Sequence, residues 1–179
     1  MSRAWHRQAG WWGALLLAAM VPAGLAPVRA QSATSSPSTP AVSAFDVRTV
    51  QALLAKGDGA AAAGNLVEAR RNYDQAREAS KQLLGFYRDL SGAFRGLDAR
   101  IPREMDDKGR QVLEALVQSN LRLAALFRRQ NQPEVAVPLL VEVVKTMTPT
   151  SDTGRKAYQQ LVEIGFVTTP YTAVSANPN

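Results

Sequence analysis

Apolar and small residues recur at alternating steps of three and four along residues 66–101. This set, which we name the seam, comprises Leu66, Ala69, Tyr73, Ala76, Ser80, Leu83, Tyr87, Leu90, Phe94, Leu97 and Ile101. Because an α-helix returns to the same face at these intervals, the seam predicts one long helix with a narrow apolar stripe. Such a stripe is unfavourable in water, so we expect either the rest of the chain or a second copy to cover it.

A proline follows the seam and predicts the turn of a helical hairpin. Pro102 cannot lie inside the preceding helix and disfavours helical geometry at Ile101. A second apolar pattern then predicts a long helix over residues 103–130, which the short connection makes antiparallel to the first. Ser80 and Asn120 lie at similar distances from Pro102, so these polar residues either fix the register of the two helices or coincide in height by chance.

One helix precedes the predicted hairpin. Ser43 and Asp46 have the spacing of a capping box, which predicts that the domain opens at Ser43. Gly57 and Gly59 lower the intrinsic helix propensity of this segment, but they let another helix approach closely. Gly64 suits the left-handed position at which a helix ends.

Two helices follow the hairpin. Asn131 is placed to cap the fourth helix, and Pro138 is expected near its first turn, where a missing hydrogen bond costs least. A fifth helix follows and ends at Gly165. No segment has the alternation of a strand, so the sequence predicts an all-α domain of about five helices over residues 43–165, followed by an irregular tail over residues 166–179.

Two sets of small and large residues recur along the predicted helices. The first comprises Leu53, Gly57, Ala60, Gly64, Asn65, Ala69, Tyr73 and Ala76, and the second comprises Asn120, Ala124, Phe127, Asn131, Ala136, Leu140, Val143 and Pro149. Their spacing resembles two periods of the tetratricopeptide repeat (TPR), although Lys81 stands where that repeat usually has a closing Pro. The resemblance covers about half of the chain after residue 30. It implies TPR-like helix pairs flanking the long antiparallel hairpin, and no ligand class is carried over from it.

The first 30 residues have the order of a secretory signal peptide. Residues 1–10 carry Arg3 and Arg7 without an acid, and residues 11–26 form an uncharged apolar run. The alternative is an uncleaved membrane anchor, for which the apolar run is short. We predict cleavage after Ala30 and an extracytoplasmic location, either the periplasm or, if the source is photosynthetic, the thylakoid lumen.

The chain that remains after this segment is removed has a different composition and a lower net charge. Residues 31–42 are mostly Ser, Thr and Pro and predict a disordered tether. The formal charge falls from +6 to +3, because Arg3, Arg7 and Arg29 are removed and no acid is. This charge on an exported chain does not indicate a nucleic-acid partner, and membrane contact is expected only through the signal segment, if it is kept.

The chain after residue 30 has neither Cys nor His, since the sequence has no Cys and its one His is His6. Zinc sites built on these residues, haem ligation by His, and Ser-His-Asp or Cys-His nucleophiles are therefore excluded. We expect no catalytic residues, no metal and no cofactor. Glu104, Asp106 and Asp107 form a cluster that acid–base chemistry or a cation could use, but acids at the start of a helix also complement its dipole, which explains them without a site.

The predicted partner surface is a flank of the first hairpin helix. It comprises Leu84, Phe86, Arg88, Arg70, Arg77 and Arg95. Acids interleave with these arginines, so they either contact an acidic partner or an anionic lipid surface, or form a solvated face. The ion pairs expected on a solvated face are Asp74–Arg77 and Glu78–Lys81.

Together these patterns favour an exported, non-enzymatic interaction module or assembly scaffold that binds a protein segment through its helical groove. The main alternative is a structural helical bundle that acts as an oligomeric spacer. A homodimer formed through the seam is a further alternative. A carboxylate-dependent enzyme has the least support.

Overall fold

The computed structural model describes residues 46–172, which form five α-helices and no strand. The helices are α1 Val47–Ala62, α2 Leu66–Ala93, α3 Arg100–Arg129, α4 Pro133–Met147 and α5 Asp152–Glu163. The predicted all-α fold of about five helices is confirmed. The predicted signal peptide, the tether and Ser43 lie outside the described residues, as do residues 173–179.

The helices pack in chain order around one core. Each helix contacts the next one, and α1 also contacts α3. The large apolar side chains with less than 2% of their surface exposed come from α1, α3 and α4: Val50, Val112, Val117, Leu123, Leu140 and Val143. Within residues 46–172, no helix combines the length and the apolar character needed to cross a membrane.

The first helix begins later than expected. Asp46 has an extended backbone, and its carboxylate accepts a hydrogen bond from the Arg48 N–H at 3.3 Å. Asp46 is therefore the N-cap of α1, and the capping box that placed it inside the first turn was wrong. At the other end of α1, Gly64 has a φ of +80°, and the Asn65 side chain accepts from the Glu68 N–H at 3.1 Å to cap α2.

The close approach expected at Gly57 is confirmed. The ring of Tyr73 on α2 packs directly over this glycine, and a Cβ at position 57 would overlap the ring. No atom outside the helix lies within 4 Å of where a Cβ would be at Gly59. Only the first of the two glycines is therefore required by packing between α1 and α2.

The hairpin turn lies before Pro102, so the prediction that Pro102 ends the first long helix was wrong. Helix α2 ends at Ala93, and Gly96 in the connection has a φ of +86°. Helix α3 begins at Arg100, so Pro102 is its third residue. At that position its missing N–H is one of the groups that have no acceptor within the helix, so the proline is tolerated.

The seam is buried over its first part and open at the hairpin end. Its buried members are Ala69, Tyr73, Ala76, Ser80 and Leu83. Leu90 is 43% exposed, and Leu97, in the connection, is 80% exposed. The rest of the described chain therefore covers most, but not all, of the apolar stripe.

Two details of the later helices also differ from expectation. Asn131 has a φ of +58° and ends α3, while α4 starts with Pro133 and has no side-chain cap. Pro138 lies in the second turn of α4, where it removes the hydrogen bond to the Glu134 carbonyl. Ser151 caps α5 by accepting from an N–H of its first turn at 3.0 Å.

Candidate functional site

A groove of about 380 Å³ runs between the second half of α2 and the first half of α3. We name it the hairpin groove. Its α2 wall, continued into the connection, comprises Leu84, Tyr87, Arg88, Ser91 and Arg95, and its α3 wall comprises Met105, Asp106, Gly109, Arg110 and Leu113. The wall residues that lie on α2 and α3 recur at helical intervals, so they form one face of each helix, and Arg95 extends the α2 wall into the connection.

One polar contact joins the two walls. The hydroxyl of Ser91, which is almost fully buried, donates to Asp106 Oδ1 at 3.1 Å. Burial raises the pKa of the neighbouring Tyr87 hydroxyl above its ordinary value. The aliphatic and thioether side chains that line the groove, which we name its apolar floor, are Leu84, Met105 and Leu113.

The cations on the rim of the groove differ in their partners. Arg110 is paired with Asp107 one helical turn away. Arg88 and Arg95 are exposed, and within residues 46–172 neither forms an ion pair or a side-chain hydrogen bond. The groove therefore combines an apolar floor with two available guanidinium groups.

The structure brings together three of the six residues of the predicted partner surface. Leu84, Arg88 and Arg95 line the hairpin groove. Phe86 is 55% exposed but does not line it. Arg70 lies elsewhere on α2, where it pairs with Asp74 at 3.5 Å and its guanidinium lies 5.0 Å from the centre of the Phe127 ring.

Arg77 is part of a partly buried cluster that joins α2, α3 and α4. Its Nε donates to Asn120 Oδ1 at 2.7 Å, and its Nη2 donates to Glu142 Oε2 at 2.6 Å. Lys81 lies 3.4 Å from the other carboxylate oxygen of Glu142. Burial alone would raise the pKa of Glu142, but the hydrogen bond and charge of Arg77, with the charge of Lys81, hold it below its ordinary value.

This cluster replaces the ion pairs expected on a solvated face. Arg77 and Lys81 both pair with Glu142 of α4, so the predicted pairs Asp74–Arg77 and Glu78–Lys81 were wrong. Arg77 is therefore a residue of the helix packing rather than of an open partner surface.

A second polar cluster, which the sequence did not reveal, joins α1, α2 and α3. The guanidinium of Arg122 donates to both oxygens of Asp58, at 2.8 and 3.1 Å, and the Tyr73 hydroxyl donates to Asp58 Oδ1 at 2.7 Å. The hydrogen bond from Arg122 holds the pKa of Asp58 below its ordinary value. Burial, and then Asp58, raise the pKa of Tyr73 to about 12.

The acids Glu104, Asp106 and Asp107 are each engaged separately. Lys108 Nζ lies 2.7 Å from Glu104, Ser91 donates to Asp106, and Arg110 pairs with Asp107. Since α3 begins at Arg100, no acid lies in its first turn, and the explanation by the helix dipole was wrong. Pairing along and between the hairpin helices accounts for these acids instead.

The geometry of the hairpin groove suits recognition of another molecule by shape and charge. An apolar side chain can enter between the walls while the guanidinium groups of Arg88 and Arg95 bind acidic groups at the rim. In residues 46–172 no group of three or more Asp, Glu, His or Cys side chains is placed to hold a metal ion. Comparisons of the chain with protein-family models, with curated proteins and with solved structures find no match.

Proposed function

We propose that this protein is an exported, non-enzymatic interaction module that binds a segment of a partner protein in the hairpin groove. The observation that carries the proposal is the combination of an apolar floor, centred on Leu84, with the two unpaired cations Arg88 and Arg95 on one rim. Buried apolar contacts supply affinity in such a groove, and charged rims supply orientation and specificity.

The arrangement of the helices supports a scaffold role. Helix α1 with the first half of α2, and the second half of α3 with α4, are the segments whose sequences resemble TPR helix pairs. Each helix packs against its neighbour in the chain, as in helical repeat proteins. In this proposal the helix pairs form a stable base, and the hairpin that extends from it presents the groove.

The proposed location and chemistry rest on sequence. Export is inferred from residues 1–30, which have the order of a signal peptide. A non-enzymatic role is inferred because the chain after residue 30 lacks Cys and His, and because Glu104, Asp106 and Asp107 each pair with a different side chain. We therefore assign the groove to recognition rather than to a reaction.

A capture experiment with two matched variants tests the proposal. The groove variant combines Arg88→Glu with Arg95→Glu. The control variant combines Lys56→Glu with Lys156→Glu, which changes the net charge equally at two exposed residues outside the groove. Each purified protein is immobilised and exposed to the exported fraction of the source cells, and retained proteins are identified by mass spectrometry.

The expected result is a partner that the unaltered protein and the control variant retain and that the groove variant loses. A partner retained equally by all three proteins would place the binding surface elsewhere. Circular dichroism spectra of the three proteins should coincide, because all four changed side chains are exposed and lie on helices or the connection.

The oligomeric spacer is a second candidate, favoured by the open end of the seam. Leu90 and Leu97 leave apolar surface exposed where a second copy could pack. Light scattering over a range of protein concentrations separates the two candidates. A mass that stays monomeric at every concentration would contradict the spacer and leave the interaction module.

A further inference from the structure

We infer that the occupant of the hairpin groove is an α-helix of a partner protein that carries one apolar face and two carboxylates seven residues apart. This inference rests on the proposed function and specifies the partner for that same groove. It follows from the spacing of the two rim cations, the shape of the groove and the open space beside Gly109.

The spacing of the cations favours a helical partner. Arg88 lies on α2, and Arg95 lies two residues after its last residue, Ala93. The N–H groups of residues 94 and 95 still donate to carbonyls of the last turn of α2, so the backbone continues close to the helical path and separates the two arginines by about 10 Å along the direction of α2. A helix that lies along the groove has the same repeat, so its residues i and i+7 face both guanidinium groups at once. In an extended segment the same distance spans about three residues, and side chains three apart point to opposite faces. Residues on one face of an extended segment are about 7 or 14 Å apart, so such a segment matches the spacing of the two cations less closely than a helix does.

The shape of the groove also suits a helix. Two antiparallel helices leave a groove along their contact, into which a third helix can place a row of side chains. Gly109 lines the α3 wall, and, apart from the adjacent backbone of α3 and the two neighbouring residues, no atom lies within 4 Å of where its Cβ would be. This space lies beside the apolar floor of Leu84 and Leu113, where a leucine of the occupant would bury its side chain.

The charge of the groove selects an acidic partner. Guanidinium groups bind carboxylates through two parallel hydrogen bonds, a geometry that lysine cannot reproduce. Asp106 is the one acid that lines the groove, and it accepts from Ser91. Arg88 and Arg95 therefore remain available for carboxylates of the occupant, and a basic helix would be repelled.

Synthetic peptides test the inference by fluorescence anisotropy. The acidic helix is a lactam-bridged peptide with leucines along one face and two glutamates seven residues apart. The basic helix carries lysines at the two glutamate positions, and the non-helical peptide has prolines in place of two central residues of the acidic helix. We expect the acidic helix to bind the purified protein roughly tenfold or more tightly than the other two peptides.

Charge reversal supplies a result that misfolding cannot produce. The variant with Arg88→Glu and Arg95→Glu should lose the acidic helix and gain the basic one, whereas the variant with Lys56→Glu and Lys156→Glu should bind like the unaltered protein. Gly109→Leu, which fills the groove, should abolish binding of the acidic helix. A reversed variant that does not gain the basic helix would overturn the charge pairing.

Two further outcomes overturn the inference while the proposed function is judged separately. Equal binding of the acidic helix and the non-helical peptide would show that the groove does not select a helix. The second outcome is that the unaltered protein binds vesicles of anionic phospholipid and the reversed variant does not. That result would assign the two arginines to a lipid surface. In either case the proposed function stands if the groove variant still loses its captured protein partner, and falls if it does not.

Discussion

The Nε atom of Arg77 donates to the side-chain carbonyl of Asn120 at 2.7 Å across the two long helices. These residues are 43 positions apart, and Ser91 and Asp106, which also form a hydrogen bond across the hairpin, are 15 apart. Both pairs are centred on the peptide bond between residues 98 and 99. Two cross-helix hydrogen bonds therefore define the same antiparallel register, one in the core and one in the hairpin groove.

The contact of Arg77 with Asn120 predicts a coupled effect on stability. Asn120 is almost fully buried, and its Nδ2 has no hydrogen-bond partner within the described chain. Arg77→Met leaves Asn120 Oδ1 unpaired as well. Asn120→Leu leaves Arg77 Nε unpaired. Because each change leaves a polar atom without its partner, each should lower the free energy of unfolding by about 1–3 kcal/mol. The double variant removes both polar partners and should cost less than the sum of the two single changes. Urea unfolding measures all three.

Arg71→Met provides the control for this cycle. Arg71 pairs with Glu68 at 2.8 Å, but its side chain is 65% exposed, so the change should lower stability by less than about 0.5 kcal/mol. Strict additivity of the Arg77 and Asn120 variants would show that their contact does not contribute to the register.

The same contact shows what sequence periodicity could and could not predict. The long antiparallel hairpin follows from local patterns, and the structure has it. Arg77 looked like part of a solvated face, because its partner Glu142 lies 65 residues away and no local spacing reveals that contact. The hydrogen bond from the buried Tyr73 to Asp58 was hidden for the same reason, since these residues are 15 positions apart on different helices.

The position of the turn was the main error, and it also limited the prediction of the site. Leu97 and Ile101 continue the period of the seam although they belong to the connection and to α3, so the pattern extended the first helix too far. A turn placed at Pro102 aligns the two long helices incorrectly. The residues of α3 that face Arg88 and Arg95 could therefore not be identified from the sequence. The α2 wall of the groove was therefore predicted in part, and the α3 wall was not.

The location of the turn can be tested with two substitutions. Gly96 has a φ of +86°, which an L-residue adopts at a cost, so Gly96→Ala should lower stability by about 1 kcal/mol. Pro102 lies in the first turn of α3, where no hydrogen bond is lost, so Pro102→Ala should change stability by less than about 0.5 kcal/mol. Thermal unfolding monitored by circular dichroism measures both. A larger loss for Pro102→Ala than for Gly96→Ala would restore Pro102 as the cause of the turn.

Two glycines of α1 form a matched pair that tests the packing of α1 on α2. Alanine has the higher helix propensity by about 1 kcal/mol, so Gly59→Ala, at an open position, should stabilise the protein by up to that amount. Gly57→Ala should instead destabilise it, because the new Cβ would overlap the Tyr73 ring and displace α2. Urea midpoints of the two variants should therefore move in opposite directions. A stabilising Gly57→Ala would mean that the ring can move aside without loss of packing.

The raised pKa of Tyr73 predicts a loss of stability at alkaline pH. In the unfolded chain this hydroxyl has its ordinary pKa near 10, whereas in the folded protein burial, and then the Asp58 carboxylate, raise the pKa to about 12. Below pH 10 both states keep the proton, so the stabilisation is complete. Between pH 10 and about 12 the unfolded chain releases the proton first, and the free energy of unfolding falls by up to about 1.4 kcal/mol per pH unit from this group.

Tyr73→Phe separates this proton linkage from the hydrogen bond. The variant lacks the donor to Asp58, so it should be less stable than the unaltered protein below pH 9 by about 1 kcal/mol. It also lacks the titrating hydroxyl, so its urea midpoint should fall less steeply between pH 10 and 12, and the two stability curves should converge. Curves that remain parallel over that range would show that Tyr73 releases its proton at the same pH in the folded and unfolded states, which is incompatible with a buried hydroxyl held against a carboxylate.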